Sequence, residues 1–241
     1  LAIPSIFEYK KTKNISMYNY LKSHKFSKNI TKYINKIKYP PQNISDYLYL
    51  ACVYISADKN VLHKLKQTKN FNWLNEKNIN IVIQYLEIHI KDNCKFEVSL
   101  GNTSYGEIDD TLCYKYNSQY GEMKFKGIVD AIDDDNIWEF KCVDRLTEEH
   151  YLQLVIYSWI WNKSMKKTHG KRKFKIINIC TGQICSLNTK KLNYINRIID
   201  LLLENRFTQN EELSDTEFIR ESTKRLRNFT SSYSFRNINI I

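Results

Sequence analysis

The sequence predicts an α/β fold with a β-sheet in the middle of the chain and helices at both ends. All six glycines lie between residues 101 and 182, and the three prolines lie within the first 41 residues. Glycine supplies the backbone conformations that turns between strands need, so its clustering favours hairpins in the middle of the chain. Apolar residues recur at helical spacing on either side of that region and alternate within it.

The domain organisation follows from the same patterning. Residues 1–42 are rich in Lys, Asn and Tyr, which predicts a basic N-terminal extension or linker with one or two short helices. Residues 43–229 are predicted to form one catalytic domain with its core at 95–190, and 230–241 to form a loose tail. Helices are expected at 44–58, 61–67, 71–74, 78–92, 190–207 and 214–229, and strands at 95–100, 125–132, 137–143, 174–180 and 183–187.

Two neighbouring predicted strands carry the residues of chemical interest. Asp130 lies in an otherwise apolar row of an alternating strand, and Glu139 and Lys141 project from one face of the next strand. The polar residues 133–136 between them predict a hairpin turn. Pairing across that turn would bring Asp130 close to Glu139, so that two carboxylates and a lysine converge on one side of the sheet.

This combination indicates a metal site. Two carboxylates a few ångström apart repel each other unless a proton or a cation lies between them. Carboxylate oxygens suit a hard divalent ion such as Mg²⁺ or Mn²⁺. A lysine beside such an ion can orient an attacking water or offset charge on a phosphate.

A helix that follows these strands adds two polar residues. Thr147 is placed to cap it, and Gln153 and Tyr157 lie one turn apart on a face that is predicted to look onto the carboxylates. The predicted buried stripe of this helix consists of Leu152, Ile156, Trp159 and Ile160.

These residues resemble the PD-(D/E)XK nuclease superfamily, in its RecB-like branch. Residues 127–130 are similar to the metal-binding Asp strand of the family, 139–141 to its E-x-K strand, and 153–157 to its Q-x-x-x-Y helix. The resemblance implies a restriction-endonuclease-like mixed sheet of four or five strands flanked by helices. It also implies Mg²⁺- or Mn²⁺-dependent hydrolysis of phosphodiester bonds in DNA.

The resemblance implies a role for each site residue. Asp130, Glu139 and the backbone carbonyl of Phe140 would bind the metal, and Lys141 would position or activate the water. Gln153 and Tyr157 would organise the site or the DNA strand. An E-x-K triplet alone is a weak signal, because average composition gives roughly one per chain of this length. Two other triplets, at 8–10 and 122–124, lack the flanking Asp strand and Q-x-x-x-Y helix.

A further metal ligand is left open between several candidates. Family members often place one on a helix ahead of the sheet, where His63, Glu87 and His89 qualify, although ordinary helix positions explain each of them. Glu97, in the first predicted strand, is either an additional ligand or the partner of a lysine on the sheet surface.

The net charge of +11 and the pI of about 9.2 favour a polyanionic partner, which is DNA in this interpretation. One predicted loop gathers basic residues that could bind backbone phosphates, unless it is merely an exposed basic loop. These candidates are Lys166, Lys167, Lys171, Arg172 and Lys173.

Two other functions stay open. One is a catalytically inactive nucleic-acid-binding or scaffolding module of the same fold, and the other is an RNA endonuclease. The chain has no Walker-type phosphate loop, so a helicase or other replication protein would lie elsewhere in the same or another chain. The segments 138–142 and 150–157 resemble nuclease modules of large DNA viruses, which serve DNA replication or repair, and a phage or cellular origin fits the same residues.

The six cysteines show no C-x-x-C spacing, which predicts reduced core residues in an intracellular protein of the cytoplasm, nucleus or a viral replication compartment. Only Cys180 and Cys185 follow the core, so no iron–sulfur cluster of the RecB-like type is expected. No apolar run approaches the roughly 18 residues that a membrane-spanning helix needs, and no membrane partner is predicted. The start at Leu1 rather than Met is typical of a fragment or a processed product.

Overall fold

In the computed structural model, the chain divides into two compact units, an N-terminal unit of residues 1–92 and a C-terminal unit of residues 93–241. The division therefore falls at Asp92 and not at the predicted boundary of residue 43. The residues that the structure describes are 1–101, 112–115, 122–165, 170–188, 192–208, 216–217, 219–220, 222–223 and 236–238.

The N-terminal unit is helical and has its own apolar core. The apolar side chains of α4 pack against the helices that precede it, so the predicted extension and the first predicted domain helices form one body. The side chain of Asn43 accepts a hydrogen bond from the backbone N of Asp46 and so begins α4. Residues 71–74, predicted to be a helix, contain only bends. The helices are α1 Ala2–Thr12, α2 Ser16–Ser23, α3 Lys28–Ile34, α4 Ile44–Asp58, α5 Leu62–Gln67 and α6 Glu76–His89.

The C-terminal unit contains the sheet and confirms the predicted α/β class. The strands are β1 Lys95–Leu100, β2 Leu112–Lys115, β3 Glu122–Phe125, β4 Gly127–Ile132, β5 Asn136–Lys141, β6 Lys173–Asn178, β7 Ile184–Ser186 and β8 Arg236–Ile238. The main sheet has the order β1-β4-β5-β6-β7-β8, and β2 and β3 form a separate hairpin. Only β5 and β6 are parallel, so the sheet is mixed as predicted.

The five predicted strands form the sheet as β1, β4, β5, β6 and β7, and a sixth strand joins its edge. Residues 236–238 form β8 and pair with β7, so part of the predicted loose tail is an edge strand. This pairing joins segments about 50 residues apart, which local sequence patterns do not reveal.

The C-terminal unit contains the helices α7 Glu148–Ile160, which continues into a π-helical turn Trp161–Met165, and α8 Leu192–Thr208. The helix α7 connects β5 to β6, as a parallel pair requires. Its buried face includes Leu154 and Val155, whereas Leu152 and Ile156 of the predicted stripe are only half-buried. Most of the predicted helix 214–229 lies outside the described residues. Among the described helices, none has both the length and the apolarity to cross a membrane.

Candidate active site

The candidate site lies where two neighbouring strands part. The strand β4 pairs with β1 from Gly127 to Ile132 but pairs with β5 only at Ala131 and Ile132. Asp130 is the first residue beyond that short pairing, and its Oδ2 accepts a hydrogen bond of 2.5 Å from the backbone N of Phe140. Because β4 and β5 diverge at this point, the N–H of Phe140 has no backbone acceptor on β4, and the Asp130 carboxylate accepts its hydrogen bond instead.

The turn between β4 and β5 fixes the register of this fork. The buried carboxylate of Asp133 accepts hydrogen bonds from the backbone N of Asn136 at 2.8 Å and from Nε1 of Trp138 at 2.9 Å. The turn therefore matches the predicted hairpin, and its geometry places Asp130 and Glu139 at corresponding positions on the two strands.

A continuous row of hydrogen bonds joins the E-x-K strand to α7. The Nζ atom of Lys141 donates to Oε1 of Glu139 at 2.8 Å and to Oε1 of Gln153 at 2.6 Å. The Nε2 atom of Gln153 donates to the hydroxyl of Tyr157 at 2.7 Å. Four of the five residues predicted to form the site are thus in direct contact, and Asp130 lies beside them.

The local sequence explains how α7 reaches the strands so closely. The ring of Tyr157 packs over Gly127, where a Cβ atom would lie only 2.8 Å from Cε1 of the tyrosine. At the start of α7, the backbone N of Thr147 donates to Nδ1 of His150 at 3.0 Å, as in a capping box. Glycine in the Asp strand therefore makes room for the tyrosine.

Burial controls the ionisation of the two carboxylates. Glu139 is only 4% exposed, and burial, followed by the charge of Asp130, raises its pKa to about 8 although Lys141 lowers it. Burial also raises the pKa of Asp130, against the opposing effect of the Phe140 N–H. The pair therefore retains a proton near neutral pH. The pKa of Tyr157 is raised, first by burial and then by the charge of Glu139.

The donor set fits a hard divalent cation. The Oε2 atom of Glu139 is buried and has no hydrogen-bond partner within the described residues, which is costly for a carboxylate oxygen. The N–H and C=O of a strand residue point to the same side, so the Phe140 carbonyl faces the same side as its N–H, towards Asp130. The described part of the chain contains no group of three or more His, Cys, Asp or Glu side chains arranged to hold a metal. Asp130, Glu139 and this carbonyl are the oxygen groups that β4 and β5 bring together at the site.

The candidates for a further metal ligand lie in different parts of the structure. The β1–β4 register places Glu97 opposite Asp130, and the charge of Glu97 contributes to the raised pKa of Glu139. Glu97 also has a φ of 49°, which is uncommon for a residue with a Cβ and stores of the order of 1–3 kcal/mol of strain. Glu87 belongs to the N-terminal unit, where it forms an ion pair with Lys10 at 2.8 Å.

The described part of the predicted DNA-binding loop lies away from the carboxylates. Lys173 pairs with Asn136 at the start of β5, five residues from Lys141, or about 17 Å along the strand. Lys171 is exposed, and the guanidinium of Arg172 lies over the ring of Trp161 at 5.6 Å. Lys166 and Lys167 lie outside the described residues.

Sequence reasoning missed a buried asparagine beside the site. Asn178 is fully buried on β6, opposite Lys141, and its Nδ2 donates to the carbonyl of Val143 at 2.7 Å. The backbone N of Ile179 donates to the carbonyl of Lys141 at 2.6 Å. These bonds hold the end of the E-x-K strand. The single polar residue in the apolar run 176–180 was the signal that pointed to it.

Two cysteines depart from the predicted core location. Cys142 and Cys180 are free and exposed, with their Sγ atoms 3.2 Å apart, just beyond the ends of β5 and β6. Cys94 and Cys185 are buried as predicted, and Cys52 is half-buried.

No family model matches the chain, and neither a curated protein nor a solved structure matches it.

Proposed function

We propose that this protein is a Mg²⁺- or Mn²⁺-dependent nuclease that hydrolyses phosphodiester bonds in intracellular DNA during replication, repair or processing. The observation that carries the proposal is the hydrogen-bonded row of Glu139, Lys141, Gln153 and Tyr157 beside Asp130. The buried carboxylate of Glu139, with an unsatisfied oxygen and the half-buried Asp130 beside it, destabilises a fold, and a cation bound at that position would offset this cost.

Each residue of the candidate site has a role in this proposal. Asp130, Glu139 and the Phe140 carbonyl would hold the ion. When bound, a divalent ion would supply Lewis-acid stabilisation of charge on the scissile phosphate and the leaving oxygen. Lys141 donates two of its three ammonium protons to Glu139 and Gln153, which leaves the third for the attacking water or a phosphate oxygen.

Gln153 and Tyr157 act as positioning residues. Gln153 holds the lysine in place by accepting a hydrogen bond from its Nζ. Tyr157 holds the Gln153 amide in place by accepting a hydrogen bond from its Nε2. The packing of Tyr157 on Gly127 anchors this row to the Asp strand. Preorganised charges of this kind act more strongly in a buried site than in water.

The test is cleavage of end-labelled linear and circular DNA, single- and double-stranded, with Mg²⁺, Mn²⁺ or EDTA. Glu139→Gln and Lys141→Ala should each lower the cleavage rate by about 10²–10³, the usual effect of removing one transition-state contact. The chain offers a matched control in the triplet at 8–10, because Glu8 is also buried with a raised pKa. Glu8→Gln should leave the rate unchanged.

Equal rates in the site variants and the control would remove the proposal. DNA bound without cleavage under every metal condition would favour the inactive binding module, and calorimetry with Mn²⁺ would then show no heat of binding that depends on Glu139. A matched RNA substrate distinguishes the RNA endonuclease, which would cleave RNA and leave DNA intact.

A further inference from the structure

The positive charge of the protein is concentrated in the N-terminal unit. Residues 1–92 contain fifteen lysines, no arginine and six acidic residues, a net charge of +9. Residues 93–241 contain 22 basic and 20 acidic residues, a net charge of only +2. The unit that carries the candidate active site is thus nearly neutral, and the basic character of the chain belongs to the helical unit.

Within the N-terminal unit, the charge is concentrated further. Residues 9–45, here called the acid-free segment, contain nine lysines and no Asp or Glu. Three of these lysines pair with acidic residues outside the segment. The other six are exposed and form no ion pair with any residue that the structure describes, namely Lys13, Lys22, Lys25, Lys28, Lys32 and Lys36.

Three of these six lysines lie on one exposed face of α3 and the turn that follows it. Lys28, Lys32 and Lys36 are spaced by four residues along α3 and the helical turn that follows it, so they share a face with Cα atoms about 6 Å apart. Ile30 and Ile34 occupy the buried face of the same helix. Exposed like charges repel each other, and such a row is stabilised when an anion lies against it.

Aromatic rings lie among the lysines. Tyr18 and Tyr39 stack with ring centroids 4.0 Å apart, and Nζ of Lys22 lies 5.5 Å from the Tyr18 ring. Nζ of Lys32 lies 5.3 Å from the ring of Tyr33. These contacts between ammonium groups and rings restrict the motion of the lysine side chains. Binding of an anion therefore costs less side-chain conformational entropy.

We propose that the acid-free segment binds the phosphate backbone of nucleic acid without reading its bases. Lysine is a point charge without the planar fork with which arginine reads bases, and the segment contains no arginine. An anionic membrane is the other polyanion to consider, but α2 and α3 bury their apolar residues Met17, Leu21, Ile30 and Ile34 in the core of the unit. No apolar face of these two helices is therefore left to enter a bilayer.

This inference extends the proposed nuclease function, since the same DNA is the ligand, but its test needs no cleavage. Fluorescence anisotropy of labelled single- and double-stranded oligonucleotides of several unrelated sequences is measured with the full chain in EDTA. The test variant is Lys28→Gln, Lys32→Gln and Lys36→Gln. The matched control removes three exposed lysines of the same unit outside the segment, Lys66→Gln, Lys69→Gln and Lys77→Gln.

Loss of three phosphate contacts should flatten the slope of log affinity against log salt by about 2.7. A rise from about 50 to about 200 mM salt should then weaken wild-type binding roughly 40-fold more than it weakens binding by the test variant. The control variant should keep the wild-type slope, and unrelated sequences should bind alike.

Equal slopes in the test and control variants would overturn the assignment, because binding would then follow total charge alone. Lysine-dependent binding to phosphatidylserine vesicles, with no lysine-dependent binding to oligonucleotides, would overturn it in favour of a membrane. The outcome is separable from that of the nuclease proposal. Lysine-dependent binding without any cleavage refutes only the nuclease, and cleavage with equal slopes refutes only this surface.

Discussion

The ionisation of Glu139 makes the stability of the metal-free protein depend on pH in a predictable direction. Its pKa is about 8 in the folded state and 4.5 in an ordinary environment. The folded state therefore holds a proton that the unfolded state releases, so the stabilising effect is fully present below about pH 4.5 and is lost as the pH rises towards 8. The slope reaches about 1.4 kcal/mol per pH unit midway between these values and is shallower near each of them, so the loss is roughly 3 kcal/mol between about pH 5 and about pH 8.

To isolate this effect, the free energy of unfolding is measured by urea denaturation in EDTA across that pH range, for wild type and for Glu139→Gln. Tryptophan fluorescence follows the right unit, because Trp138, Trp159 and Trp161 are buried there, whereas Trp73 in the N-terminal unit is 52% exposed. Glu8→Gln is measured in parallel, because burial also raises the pKa of Glu8 and gives a dependence of the same sign.

The free energy of unfolding of wild type should fall by about 3 kcal/mol more than that of Glu139→Gln over the range. Added Mn²⁺ should reduce the decline, because a bound cation favours the ionised carboxylates. Parallel profiles for wild type and Glu139→Gln would show that the electrostatic description of the site is wrong.

Three further predictions concern the structure around the site. Asp130→Asn should be more stable than Asp130→Ala by about 1–3 kcal/mol in chemical unfolding, because the amide oxygen can still accept from the Phe140 N–H; equal stabilities would contradict this. Gly127→Ala should lower the free energy of unfolding by about 1–3 kcal/mol and slow any cleavage by displacing Tyr157, whereas an unchanged rate would show that the ring position is unimportant. Oxidised glutathione should join Cys142 to Cys180, as seen by non-reducing peptide mapping, and more quickly at alkaline pH, because the hydrogen bond between the two thiols raises the pKa of Cys180 to about 11. Cys180→Ser is the control, and no bridge at any pH would refute the proximity of the thiols.

Local patterns were enough to predict the elements around the site. The strand at 95–100 has the predicted bounds, and the row from Glu139 to Tyr157 joins residues whose spacing within one strand and one helix is set by backbone geometry. A period of two and a period of 3.6 are properties of single elements, so they can be found in one sequence.

The features that the sequence did not reveal depend on pairing between distant segments. The position of Glu97 opposite Asp130 follows from the register of β1 on β4, and β8 follows from the pairing of the chain end with β7. The division at Asp92 depends on which helices share a core, and the pattern of a single helix does not reveal that. The metal, the DNA substrate and the roles of the site residues stay predictions.

The hydrogen-bonded row that crosses the site has a direction. Lysine can only donate, so the atom of Gln153 that faces Lys141 must be its oxygen, and the amide nitrogen must then face Tyr157. The tyrosine oxygen accepts this bond, and its own proton is left to point onward to another acceptor, such as a phosphate oxygen. The dipoles of Gln153 and Tyr157 are thus both oriented by the positive charge of the Lys141 ammonium group. In Gln153→Glu the side chain could only accept, so the hydrogen bond with Tyr157 would run in the opposite direction.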